Sequence, residues 1–362
     1  MLVMASKGLT KQLLKEDLFG NEISLSHLKR IDKIFNKGLN FYLDPKNPEI
    51  TQDASIFFRK QKFGTELSIG AKKIVNQFEE LKISLSAISK LAELEMSRNI
   101  NVFSVNDDAK FVATEIRKIL YPEFIIDKKD FLKALINKFA EKNILVFEFV
   151  ETWNKKETAN IDGFFLNPNV IVLKRQQNSF RREIFTLIHE LGHFLLNEEE
   201  IDLLDYQNLA KDNLSSIERW CNDFAYYFLI GEYGTLIDNI KKVDETNDYC
   251  FSIIEEVSKK THLSQIALFT RLLFQNKVSK STYNKIKSDF DEKYKAREEE
   301  TKRLRELEKQ NGKKTGGSTP KPINSPLFVS TIQTAYYEGI INEYEVCKKL
   351  NIKPENLEKY IQ

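Results

Sequence analysis

Two of the chain's four histidines stand in the run His189-Glu190-Leu191-Gly192-His193. On a helix, residues i and i+4 share a face one turn apart, so both imidazoles can reach a single Zn2+ at about 2.0–2.1 Å. Glu190, directly after the first histidine, then points at the water beside the metal rather than at the metal. It can accept that water's proton and hand it to a leaving amine, which is the chemistry of peptide-bond hydrolysis. With so few histidines, chance spacing of this kind is expected on the order of a few times per thousand such chains, so the run is read as a metal site. Gly192 between them leaves room for other groups to approach the metal.

A catalytic zinc of this type needs a third protein ligand and one open position. His27 lies in the N-terminal region, and His262 sits in Lys260-Thr-His-Leu-Ser, which reads as a turn before a helix, so an acid is the better candidate. Glu198, Glu199 and Glu200 follow His193 too closely to reach back without a sharp fold. Glu218 lies on the next strong helix, far enough along for an antiparallel helix to return, although Ser215-x-x-Glu218 also fits a helix-capping box. Asn222, one turn beyond Glu218, can orient a ligand or bind substrate. Tyr226, Tyr227, His262 and Arg271 are candidate donors to a developing oxyanion, and spacing chooses none of them.

The elements that must position these residues follow from periodicity. Ile184, Leu187, Ile188, Leu191 and Leu195 recur three and four apart, as on a largely buried helix carrying the motif. A second helix from Ser215 turns Ile217, Cys221, Phe224 and Phe228 inward. Upstream, helical patterns at 111–120 and 131–142 lead to three strand-like runs, Asn143 to Val150, Asp162 to Leu166 and Val170 to Leu173. The last two are joined by Asn167-Pro168-Asn169, and a small antiparallel sheet is predicted. The first hundred residues read as helices, with Leu28, Ile31, Ile34 and Phe35 on one face, Ile74, Phe78 and Leu81 on another, and a breaker at Asp44-Pro45. Beyond Gln275 come an exposed charged helix over Asp291 to Gln310, a Gly/Ser/Pro linker, and two apolar helices at Val329 to Tyr337 and Glu343 to Leu350, the latter opened by Asn342 and Glu345.

Bulk properties bound the function. The 362 residues suffice for more than one domain, and 55 basic against 53 acidic residues give a net charge of +2, without the basic excess of a general nucleic-acid binder. Residues 1–100 carry a mild +4, too little to indicate DNA binding. Mean hydropathy is -0.41, and no apolar run approaches the ~20 residues of a bilayer span, so a cytoplasmic location is expected, without membrane contact. Cys221, Cys250 and Cys347 are odd in number and form no Cys-x-x-Cys pair. They are read as small buried residues rather than a disulfide framework or thiolate zinc site.

Arg182-x-x-Phe185-Thr186-x-x-His189-Glu190-Leu191-Gly192-His193, followed by Glu218-x-x-x-Asn222-x-Phe224-Ala225, resembles the ImmA/IrrE family of metallopeptidases. The Asp162-Gly163 strand pair and the Ala335 to Leu350 segment are similar to that family as well. The resemblance is good over about 105–275 and least over the first hundred residues, which show no helix-turn-helix signature of the repressor type. It departs at Cys221, where alanine is usual, and at Ile230-Gly231-Glu232 in place of Met-Pro.

The resemblance implies one Zn2+ per chain held by His189, His193 and Glu218, with Glu190 as general base. It also implies cleavage of a specific protein partner, a helix-turn-helix repressor or antitoxin, in stress response, mobile-element control or phage defence. A metal-containing sensor or DNA-associated regulatory module that needs no proteolysis is the competing reading. The fold expected is a mainly helical α+β arrangement, its small antiparallel sheet packed on a zincin-like active-site helix and flanked by N- and C-terminal helical regions. The expected divisions are an N-terminal helical region at 1–105, the peptidase domain at 106–275, a charged helix and linker at 276–325 and a C-terminal helical unit at 326–362.

Overall fold

The helix that carries the motif, Phe180–Leu196, starts where Ser179 adopts an extended backbone and its hydroxyl accepts the Arg182 amide, and ends at left-handed Asn197. In chain order it is α7 of a computed structural model that describes residues 5–6, 9, 12–19, 22–35, 39–43, 67–94, 97–150, 158–175, 179–200, 215–311 and 322–361. Two compact units result: one of residues 1–87, 153–161 and 201–203, the other of 88–152, 162–200 and 204–362.

The first unit contains α1 (Lys15–Phe19), α2 (Leu25–Phe35), α3 (Leu39–Leu43) and most of α4 (Ile69–Leu91). Leu28 and Ile31 are buried as their spacing predicts, as are Ile74 and Phe78, whereas Leu81 is only half-buried. The predicted breaker at Asp44-Pro45, the Gly/Pro linker over 312–321 and the side chains of Ile34 and Phe35 lie outside the described residues.

The second unit holds the chemistry. It begins with α5 (Ala109–Leu120) and α6 (Lys128–Ala140), capped by Asp108 and Asp127. Strands β1 (Leu145–Val150), β2 (Gly163–Leu166) and β3 (Val170–Arg175) follow, then α7. Next are α8 (Ser216–Ile230), α9 (Gly234–Asp238), α10 (Phe251–Thr261) and α11 (Gln265–Phe274). The unit closes with α12 (Lys280–Gln310), α13 (Pro326–Tyr337) and α14 (Glu343–Leu350). Ile184, Leu187, Ile188, Leu191 and Leu195 are wholly buried in one apolar cluster with Leu135 of α6, Phe165 and Ile171 of the sheet, and Phe224 and Phe228 of α8. Burial of this much aliphatic and aromatic surface is the main force holding α7 between sheet and helices.

The mainly helical α+β class is as expected, but the sheet is mixed. Its order is β1-β3-β2, with β2 antiparallel to β3 and β1 parallel to it. The short Asn167 to Asn169 connection forces β2 and β3 to run opposite ways. β3 then takes the central place, so β1, two strands earlier in the chain, lies alongside it in the same direction. Of the cysteines, Cys221 and Cys347 are buried as expected, while Cys250 is only partly so. The side chains described between 291 and 309 on α12 are all exposed, and Asn342 with Glu345 forms the predicted capping box of α14.

A charge network under the sheet ties these layers together. Arg175 of β3, almost wholly buried, pairs with Glu148 of β1 and with Glu183 of α7, the latter at 2.8 Å. Two carboxylates thus share one guanidinium, and the second oxygen of Glu148 accepts the backbone N–H of Asn324 at 2.8 Å. Beside that contact, Phe328 of α13 packs edge-on against Phe147 of β1 at 5.2 Å. Burial opposes charge on Arg175, but Glu183 and Glu148 outweigh it and hold the guanidinium protonated. Arg175→Ala removes the guanidinium that two buried carboxylates share and is expected to cost about 3–5 kcal/mol in urea unfolding. A loss under about 1 kcal/mol would show that the pair contributes little.

Candidate metal centre

One turn of α7 separates His189 from His193, and their Nε2 atoms stand 3.2 Å apart. Glu218 comes from the first turn of α8, where the Ser215 hydroxyl accepts its backbone N–H at 3.1 Å. Its carboxylate does not complete the capping box; it reaches across to α7, with Oε2 3.2 Å from His189 Nε2 and Oε1 3.1 Å from His193 Nε2. The three side chains are 1%, 1% and 2% exposed. Donor atoms around a tetrahedral ion at about 2.0–2.1 Å lie about 3.3–3.4 Å from one another, so the triangle has the dimensions of three corners of a zinc site. Two nitrogen donors and one carboxylate, buried and converging, fit a divalent cation.

The approach of α8 to α7 depends on Gly192. A Cβ there would stand 3.0 Å from Sγ and 3.1 Å from Cα and Cβ of Cys221. The room this glycine leaves is therefore filled by the neighbouring helix, not by groups approaching a metal. Arginines hold the far ends of both helices: Arg98 donates to the carbonyls of Phe194 and Leu195 and stacks on the Phe194 ring, while Arg117 donates to Phe228 and Leu229 and stacks on Tyr121. The Trp220 indole N–H, bonded to the Asp107 carbonyl at 2.8 Å, fixes the near end of α8.

Asn222 Oδ1 lies 3.1 Å from His189 Nδ1. Accepting the Nδ1 proton there leaves the Nε2 lone pair of His189 free toward the cluster. His193 Nδ1 is buried without a hydrogen-bond partner in the structure. Burial alone would disfavour charge on Glu218, yet His189 and His193 outweigh it and hold this carboxyl well below the usual range. Burial likewise opposes charge on His193, and the Cys221 thiol and Glu218 outweigh it, raising this imidazole well above its ordinary value. The field at the triangle thus favours positive charge.

Glu190, on the same helix face as the sheet, is 4% exposed. Its Oε2 is buried with no hydrogen-bond partner. Burial pushes its pKa up to about 7; the two histidines partly oppose this, and Glu218 and Asp162 add to it. Space for this side chain comes from Gly163 of β2, where a Cβ would stand 2.8 Å from Thr186 Cγ2 and 3.1 Å from Glu190 Cγ. A glycine at the head of an otherwise bulky strand is a readable sign of close approach, although it does not name the approaching group.

His189, Glu190, His193, Glu218 and Asn222 therefore come together, and the remaining candidates do not join them. The His262 ring stacks on Phe124 at 4.8 Å, packs against Phe131 and bonds the Ile125 carbonyl through Nε2 at 2.7 Å, closing α10 in a left-handed turn. Arg271 pairs with Asp223 and the Tyr227 hydroxyl and lies over the Tyr226 ring at 4.7 Å, forming a clamp between α8 and α11. Glu199 accepts the Asn167 amide and Glu200 the Ser215 hydroxyl. His27, in the other unit, lies 3.2 Å from the Asp17 carbonyl.

A helix-borne pair of histidines, a glutamate from the next helix and a shielded glutamate between them are the parts that a metallopeptidase site requires. Over residues 122–238, about a third of the chain, the sequence matches the family model Peptidase_M78, the IrrE N-terminal-like domain, and the resemblance to ImmA/IrrE holds there. That segment includes all five converging residues and excludes His262 and Arg271. No curated protein matches the chain. Asn222→Ala should lower Zn2+ affinity about 10- to 100-fold in chelator competition. Unchanged affinity would remove Asn222 from the support of His189.

Proposed function

We propose that the protein is a zinc metalloendopeptidase with His189, His193 and Glu218 as ligands and Glu190 as general base. The observation that carries this reading is the convergence of three buried side chains whose acceptor atoms stand 3.1–3.2 Å apart. Zinc, when bound, supplies Lewis-acid activation of water and of the scissile carbonyl. Glu190 takes the proton of the attacking water at its carboxylate and returns it to the leaving amine nitrogen, a role that a pKa near 7 suits in both directions. Asn222 keeps His189 in the tautomer that presents Nε2. Other divalent metals such as manganese or cobalt suit the same donor set, and availability selects among them.

The substrate in this reading is one specific protein partner, a helix-turn-helix repressor or antitoxin. Its setting is stress response, mobile-element control or a toxin-antitoxin or phage-defence system. The Peptidase_M78 match and the motif resemblance support this assignment. Burial of Glu190 supports restricted activity, since a general base sealed from solvent does not meet generic peptides without a change in its surroundings. No helix among the described residues is long and apolar enough to cross a membrane, which is consistent with a cytoplasmic site of action.

Glu190→Gln should retain Zn2+ in metal analysis while cleavage of a helix-turn-helix repressor substrate falls at least about 100-fold. His193→Ala should lose the metal, and chelation of the wild type should stop cleavage until Zn2+ is returned. Wild-type biological effect in the Glu190→Gln protein would replace the peptidase reading with that of a metal-containing sensor.

A further inference from the structure

On its sheet side, Glu190 is covered by the first residue of an edge strand. Among the described residues β2 pairs with β3 alone, and the bond from the Lys174 amide to the Asp162 carbonyl, 2.8 Å long, stands at the start of that ladder. Gly163 comes next, and without a side chain it adds no packing of its own to hold its backbone over the base. Arg182, Thr186 and Glu190, four residues apart on α7, present one helix face to this point. Thr186 Cγ2 and Glu190 Cγ stand 2.8 Å and 3.1 Å from where a Cβ on Gly163 would be. Arg182, two turns before Glu190, donates from Nε at 2.9 Å and from a terminal nitrogen to Oδ2 of Asp162, the residue preceding Gly163. Two N–H groups of one planar guanidinium fix direction as well as distance. Arg182 is 33% exposed and Asp162 17%, so the pair contributes little to overall stability, and its effect is local.

The geometry points to Arg182 and Asp162 as a positioning pair for the general base: by fastening the start of β2 to α7 they hold Gly163 over Glu190 and keep its carboxylate enclosed. The inference deepens, and rests on, the reading of Glu190 as general base. Without the pair, the start of β2 keeps only its ladder to β3. Bulk water then enters beside Glu190 and the carboxylate loses its fixed place, which lowers turnover without changing how the substrate is held.

The test uses the full chain with Arg182→Ala, Asp162→Ala and the exchange of both residues, Asp162→Arg with Arg182→Asp. Carbodiimide labelling of carboxyl groups, read by peptide mapping, reports how open Glu190 is, with the buried Glu148 as an internal control. Kinetics are measured on a helix-turn-helix repressor substrate with Zn2+ present. Each alanine variant should label at Glu190 about tenfold more than the wild type, with Glu148 unchanged. Each should also lose about tenfold in kcat while KM stays within about twofold. The exchanged pair should return both readings toward the wild type. Wild-type labelling of Glu190 in the alanine variants overturns the inference, as does a parallel rise at Glu148, which would mean general loosening. Failure of the exchange to restore either reading overturns it too. Labelling that follows the pair in a chain whose Glu190→Gln variant cleaves as well as the wild type would instead overturn the general-base reading.

Discussion

Three lone-pair-bearing side chains held within 3.2 Å of one another in a buried interior repel each other unless positive charge sits among them. A fold that buries such a triangle must maintain it by rigid means, and here those means are helix packing. Glycine at 192 lets α8 lie against α7 at Cys221, which is what brings Glu218 within reach of both rings. The arginines at 98 and 117 fasten the opposite ends of the two helices, so neither can slide by a turn without losing charge-assisted bonds to its last carbonyls. The candidate metal site is thus a property of the α7–α8 interface more than of either helix.

Glu190 shows what the same enclosure does to a group without a partner. The carboxylates of Glu218 and Glu190 share one pocket, yet neighbouring imidazoles hold the first ionised while burial raises the second to about 7. Two chemically identical side chains are pushed in opposite directions by their surroundings. Gly163 and Thr186 close the sheet side of Glu190, and Asp162 beside them is itself paired with Arg182.

The site was legible in the sequence to the extent that it obeys helical periodicity. His189 and His193 share a face because of their spacing, and Glu218 and Asn222 share one for the same reason, so each pair follows once its helix is recognised. Pairing the two helices needed the further reading that Glu218 lies on an antiparallel neighbour, and its position in a possible capping box pulled the other way. The parallel pairing of β1 with β3 was not legible, because alternation gives a strand's faces and not its neighbour. Nor was the role of His262, whose aromatic surroundings at Phe124 and Phe131 are far away in sequence. Arg175 and Glu148, separated by 27 residues, look like ordinary strand-end charges until the sheet buries them.

The amide of Asn324 reaches Glu148 across 176 residues of chain. Synthesis runs from the amino end, so both site helices leave the ribosome long before that donor does. A nascent chain that has delivered α8 already owns every residue of the metal triangle, but one oxygen of Glu148 still awaits its hydrogen bond and Phe147 its ring neighbour. The sheet edge at β1 is therefore complete only once the segment around Phe328 has docked on it.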